Sequence, residues 1–164
     1  MHTSTQAPSG LSGLMTVRII EIMQEMTVAC IRRIGPYGED NRDIMERLKD
    51  WARSKCLLES SIVLGAAWDD PSCTPPEQCR YDVCLEIASG SVELEKDMRL
   101  DRIPGGRYAC FQGRHTPAGV QLLWQTSFTA LEAHGIAPEP SRPVLERYRP
   151  ELLKQGLCEL CIPI

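Results

Sequence analysis

Two stretches near the start of the chain favour extended structure. Thr16 to Ile22 is rich in β-formers, and Thr27 to Ile34 (TVACIRRI) alternates apolar and polar positions, so both are predicted to be strands. Gly35-Pro36-Tyr37-Gly38 stops the second. From Glu39 to Lys55 the period changes: Ile44, Met45, Leu48, Trp51 and Ala52 recur at helical spacing, predicting an amphipathic helix with one buried face. Ile62 to Trp68 is a third strand. A loop follows through Asp69-Asp70-Pro71 and Thr74-Pro75-Pro76, where proline removes the donors a sheet ladder needs. Arg80 to Ile87 is a fourth strand, and Ser89-Gly90-Ser91 marks the middle of the chain.

The plan then recurs. Asp97 to Ile103 and Arg107 to Arg114 are strands around the turn Pro104-Gly105-Gly106. Thr116-Pro117 opens a helix, proline suiting a first helical position. Val120, Leu123, Trp124, Phe128 and Leu131 carry its apolar face as far as His134-Gly135, where glycine can cap it. Pro143 to Tyr148 and Leu157 to Ile162 are the last two strands.

The halves superpose as sequences. TVACIRR (27–33) meets RYACFQG (107–113), VLGAA (63–67) meets VLERY (144–148), and YDVCLEI (81–87) meets LCELCIPI (157–164). A repeat of about 80 residues is too long for a solenoid, so the chain is expected to be two ββαββ units related by a pseudo-two-fold axis. The predicted class is α+β: one eight-stranded antiparallel sheet with two main helices on one face, and a concave region on the other face or at the seam. The expected division is a disordered tail over 1–14 and one domain over 15–164, with repeats at 15–88 and 96–164.

Composition places the chain among ordinary globular proteins, with 43% hydrophobic and 24% charged residues. Net charge is −4, and no run of Lys or Arg is present. A direct nucleic-acid binder would show a basic stripe, because neutralising phosphates supplies most of its affinity, so direct DNA binding is not expected. No stretch reaches the roughly 18 apolar residues that span a bilayer, and Met1 to Gly13 has no basic or apolar signal regions, which points to the cytoplasm. Eight cysteines, several inside strand-like runs, are expected to be reduced there.

Five ordered motifs then carry a resemblance. They are Arg33-Ile34-Gly35-Pro36-Tyr37; Trp68-Asp69-Asp70-Pro71 with Thr74-Pro75-Pro76-Glu77; Arg80-Tyr81-Asp82; Ile103-Pro104-Gly105-Gly106-Arg107-Tyr108; and Leu145-Glu146-Arg147-Tyr148. From about Thr16 to Ile164 the chain resembles the GyrI-like effector-binding domain family. That family includes the drug-sensing domains of AraC-type and MerR-type regulators, small gyrase-inhibitor proteins and free-standing drug-binding modules. The resemblance implies the paired-repeat fold and a ligand cleft at the seam, floored by a buried glutamate that maps onto Glu146. The helix-turn-helix that regulators place before the domain is not seen, so a free-standing member is expected. One departure stands out: Ala66-Ala67 precede Trp68 where family members often carry a tyrosine, which predicts a wider or differently lined pocket.

Glu146 lies in an apolar strand, and its counterpart in the first half is Gly65. A carboxylate facing a glycine has room in front of it for a planar ligand. Buried without a partner it is costly, and a cationic aromatic ligand would supply the missing charge. Aromatic walls would add cation–π attraction; Trp68, Tyr108, Trp124 and Tyr148 are candidates, with Tyr37 at the rim. The competing reading pairs Glu146 with an arginine such as Arg107 and sends the aromatics to the core, where Trp51 is expected in either case.

The leading expectation is a stand-alone sensor or sequestering module for small cationic amphipathic or aromatic molecules. One alternative is a hydrolase of cyclopropane-bearing toxins, as some relatives are, with Glu146 as base and Tyr148, two residues along the same strand face, as its partner. Another is a gyrase-inhibitor-like module that contacts a partner protein. No cofactor and no metal are expected. Cys158 and Cys161, three apart on a strand, face opposite sides; Cys73, Cys79 and Cys84 lack a nearby histidine. His115 and His134 flank the second helix and are read as structural. No nucleophile stands beside a base to suggest a triad.

Overall fold

A computed structural model describes residues 18–38, 40–88 and 92–164. The tail expected over 1–14, the start of the first expected strand, and the mid-chain Ser89-Gly90-Ser91 lie outside the described residues.

Eight strands and three helices follow one another as β1 (Arg18–Met23), β2 (Met26–Ile34), α1 (Asn41–Ser54), β3 (Val63–Ala67), β4 (Arg80–Glu86), β5 (Met98–Ile103), β6 (Gly106–Arg114), α2 (Pro117–Ala133), β7 (Val144–Tyr148), α3 (Pro150–Leu153) and β8 (Leu157–Pro163). The ends are chemically marked. Thr116 caps α2 by accepting from the Gly119 N–H, Pro117 takes the first turn, and Gly135 follows the helix at φ +68°. The short α3, begun by Pro150, has no periodic signal in the sequence and was not anticipated.

All strands belong to one antiparallel sheet ordered β1-β6-β8-β7-β3-β4-β2-β5. The order is palindromic, since exchanging the halves reverses it. The burial pattern of β2 recurs in β6 position by position. At the centre β3 pairs with β7, placing Gly65 opposite Glu146, so the pseudo-two-fold axis passes between those two residues. The sequence does not foretell an exchange at the rims. β1, from the first half, pairs with β6 of the second, while β5, from the second half, pairs with β2 of the first.

Both faces of the sheet are packed, because alternate side chains of each strand go opposite ways. On one face α1 lies on β2 and β4, and α2 on β6 and β8. Leu48, Trp51 and Ala52 meet Ala29, Ile31, Val83 and Leu85, while Leu123 and Leu131 meet Ala109, Phe111, Leu160 and Ile162. Each fully buried aliphatic or aromatic side chain here contributes about 1.5–3 kcal/mol. The other face holds Val28, Cys30, Leu64, Cys84, Tyr108, Cys110, Leu145 and Cys161. There the turns after β1 and β5 lie against each other. A Cβ on Gly105 would stand 2.7 Å from the Met23 carbonyl oxygen and 2.8 Å from the Glu25 nitrogen, a gap only glycine permits.

Two charged clusters border this second core. Asp82, almost fully buried, accepts from both Arg32 (2.9 Å) and Arg99 (2.8 Å), and from the Trp68 indole (2.9 Å). At the related position of the other half, Glu159 holds Arg147 (2.9 Å) and Arg149 (2.7 Å), and Arg147 also reaches Glu21 (2.9 Å). These buried charges are paired on every side, as low-dielectric surroundings require.

Candidate functional site

The helices cover the outer strands and leave the central pair between them. On the helical face β3 presents Val63, Gly65 and Ala67, and β7 presents Val144, Glu146 and Tyr148. The strip between α1 and α2 is a cleft of about 1180 Å³, bounded by Met45 of α1, Val120 and Trp124 of α2, and Tyr37 near its rim. Its volume suits a drug-sized molecule.

Glu146 forms the floor. Tyr81 donates to its Oε1 at 2.5 Å and Tyr148 to its Oε2 at 3.3 Å, and the Trp124 indole N–H also favours the charged form. Burial nevertheless dominates and holds this carboxyl above the usual carboxylate range. The same burial, with the carboxylate beside them, pushes the Tyr81 and Tyr148 hydroxyls well up, so both remain protonated donors. Among the described residues no Lys, Arg or His forms an ion pair with Glu146. The competing assignment to Arg107 is not what is seen: that side chain lies on the surface, and its carbonyl accepts from Ile164 and Arg142.

The structure brings Glu146, Tyr148, Trp124, Tyr37 and Gly65 to one place, with a correction at Gly65. The space in front of that glycine is not open to a ligand. A Cβ there would overlap the Tyr81 hydroxyl and stand 2.6 Å from Glu146 Oε1, so the glycine makes room for the tyrosine that holds the carboxylate. Tyr37 packs edge-on against Tyr81, with ring centroids 6.0 Å apart, and its hydroxyl donates to the Arg80 carbonyl at 2.7 Å. Burial pushes that hydroxyl up to about 12.

Tyr108 is not brought to the cleft. It lies on the other face of the sheet, donating to the Pro104 carbonyl with Arg142 over its ring. Trp68 borders the cleft, yet its indole turns to that same second core and donates to Asp82. Residues one position apart on a strand face opposite ways, and Trp68 directly follows the cleft-facing Ala67. Trp51 is in the core as expected.

Three cleft residues were missed. Tyr81 follows the small residues of β3: it pairs with Ala67 and leans over Gly65. Phe128 stacks on Trp124 at 6.0 Å between centroids. His115 packs its ring 5.4 Å from that of Tyr148 and closes the end of the cleft. His134 only bonds the Ala130 carbonyl. Cys158 and Cys161 do face opposite sides, in different core clusters. Among the described residues no cluster of three or more His, Cys, Asp or Glu side chains is placed to hold a metal, and no helix is long and apolar enough to cross a membrane.

Comparison with known proteins supplies the kinship. The profile of the GyrI-like small molecule binding domain matches residues 15–164. The chain belongs to this family. Among GyrI-like relatives, the SPbeta prophage-derived protein of Bacillus subtilis named as the transcriptional regulator YosT is 34% identical over 146 residues, covering 88% of this chain and 97% of that one. A DNA gyrase inhibitor of Pectobacterium carotovorum is 30% identical over 127 residues, covering 76% and 80%. Solved structures share the fold at low identity. The EcmrR C-terminal domain superposes with a TM-score of 0.67 at 10% identity, over 90% of this chain and 96% of that one. SAV2435, solved bound to tetraphenylphosphonium, gives 0.64 at 12%, over 90% and 93%.

Proposed function

We propose that this GyrI-like domain binds small cationic aromatic molecules in the cleft between α1 and α2, as a sensor or sequestering module. The observation that carries the reading is the Glu146 carboxylate, which accepts from two neutral hydroxyls, those of Tyr81 and Tyr148, and pairs with no cation among the described residues. A cationic ligand would offset the cost of desolvating this partly buried charge, and the Trp124 and Tyr148 rings would add about 0.5–2 kcal/mol of cation–π attraction each. The tetraphenylphosphonium bound by SAV2435 has this chemistry, a delocalised cation inside apolar rings. Titration calorimetry with tetraphenylphosphonium tests it. Saturable binding by the wild type, lost in Glu146→Gln, supports the reading; binding that ignores this substitution overturns it. We place this binding in the cytoplasm, a reducing compartment that suits eight unpaired cysteines.

A second reading is favoured by the two hydroxyls on one carboxylate. Glu146, held above the usual range between Tyr81 and Tyr148, has the character of a general base, and a cyclopropane-bearing compound would be opened by water that it deprotonates. Product analysis separates the two, because a binder returns the compound unchanged. The gyrase inhibitors among the relatives raise a third role, contact with a partner protein. Co-purification with gyrase that survives Glu146→Gln would point to it.

A further inference from the structure

The groove between the helices does not end at His115 and Tyr148. Beyond them, at the other end of the β3–β7 seam, lies a second cleft of about 550 Å³. The two clefts share Lys49, His115 and Tyr148 as a wall. The division follows from the one place where the repeats differ most along the seam. On the pseudo-two-fold, Tyr148 corresponds to Ala67. The alanine leaves the large cleft open at its end, whereas the tyrosine, opposite Val63, fills the groove and partitions it.

The smaller cleft has its own chemistry. Its floor is apolar, made by Leu58, Val63, Leu153 and the outer face of Tyr148. Its rim carries three cations, Lys49, Arg53 and Lys154, against a single carboxylate, Glu59. Two of the cations have partners outside the cleft: Lys49 stands 3.7 Å from Glu46 and Arg53 2.8 Å from Asp50, solvent-accessible pairs along α1 that hold their cations only weakly. Lys154, just past α3, makes no ion pair among the described residues. An apolar pocket rimmed by exchangeable or unpaired cations is the inverse of the Glu146 cleft beside it.

We propose that this smaller cleft is a second ligand site, taking a small amphipathic anion: an aromatic or short aliphatic group on the Leu58, Val63 and Leu153 floor, with a carboxylate or sulfonate at Arg53, Lys154 and Lys49. Naphthalene sulfonate is the probe. Methyl NMR of the full chain is expected to show saturable shifts at Leu58, Val63 and Leu153, with those of Val120 and Val144 in the large cleft smaller. Arg53→Glu with Lys154→Glu should weaken the affinity about tenfold or more, since both like charges would then face the sulfonate. Both positions are exposed and outside the core, and Lys154→Gln, which removes one charge without adding another, should weaken binding by a smaller factor. Absent saturation, shifts confined to the large cleft, or equal affinity in the charge-reversed variant would each overturn the assignment. The site does not rest on the cationic reading of Glu146: tetraphenylphosphonium titrated into the same variant reports on that cleft separately, so either assignment can fail alone.

Discussion

Gly65 and Glu146 face each other in register across the pseudo-two-fold axis, and the Tyr81 hydroxyl occupies the volume that a side chain on Gly65 would fill. The glycine therefore leaves room for the tyrosine that holds the carboxylate in place. Gly65→Ala places a methyl inside van der Waals range of both oxygens, and the buried Tyr81 ring has little freedom to retreat. The expected loss is about 1–3 kcal/mol in chemical denaturation, as for other overpacked cores. Weaker tetraphenylphosphonium binding should accompany it, because the Tyr81–Glu146 hydrogen bond must lengthen.

The raised affinity of Glu146 for its proton gives a signed pH dependence. Between the usual carboxylate range and the raised folded value, the folded chain holds more protons than the unfolded one, so its stability falls as pH rises through that window. Glu146→Gln lacks this proton. Its stability relative to the wild type should improve through the window and stay level above it, as measured by urea denaturation at a series of pH values. The affinity of the wild type for tetraphenylphosphonium should move the opposite way, strengthening as the carboxyl ionises.

Tyr148→Ala should merge the two clefts. The side chain is partly exposed, so the cost in stability is expected at about 2–4 kcal/mol, below that of a fully buried aromatic. Elongated ligands that the divided groove rejects should then bind. Ala67→Tyr, the related position in the other repeat, should shorten the large cleft and exclude bulky cations while small ones still enter. Comparing Kd values over a size series of quaternary phosphonium ions checks both.

The eight strands and the two long helices were legible from the sequence pattern, α3 was not, and the observed ends of β2, α1, β6 and α2 lie within two residues of those expected. Aligning the repeats even brought Gly65 to Glu146, a pairing that the sheet realises. Other features were not legible, for identifiable reasons. Nothing local says whether β1 pairs with its own half or the other, since β2 and β6 present similar edges. Tyr81 looks like any core tyrosine until the glycine beneath it is placed next to it in the ladder. The rings of Trp68 and Tyr108 suit a ligand wall, but alternation next to Ala67 and Ala109, which face the helices, directs both to the opposite face.

Cysteine reactivity offers a test of the second core. Cys30 lies opposite Cys84, and Cys110 opposite Cys161, symmetry-related thiol pairs on the face away from the helices. Neighbouring sulfur and burial hold the Cys84 and Cys161 thiols well above their ordinary range, which keeps them protonated and unreactive. Only Cys56 and Cys73 are exposed. A thiol-disulfide reagent should therefore titrate two thiols rapidly in the native protein and all eight in denaturant. Prompt reaction of more than two would mean that the second core opens readily.

Asp82 and Glu159 should behave as matched keystones. Asp82→Ala leaves Arg32 without its carboxylate and Arg99 with Asp101 alone, and Glu159→Ala leaves Arg147, the more deeply buried side chain, with Glu21 alone. A buried charge left with no partner costs about 3–5 kcal/mol, and the remaining Glu21 and Asp101 contacts should keep both losses below that. The Glu159 substitution is expected to be the more damaging in thermal denaturation.

The exchange of β1 and β5 has a meaning for how the chain is made. Arg18 can find its ladder partner only when Phe111 has left the ribosome, and until then the isoleucines of β1 have no strand to lie beside. Neither repeat can be finished before the other has begun. A gene cut between them would yield two fragments, each lacking a rim strand and displaying a borrowed one, and they could mature only by finding each other. Such a molecule is closer to a dimer that has been threaded onto one string than to two beads in a row.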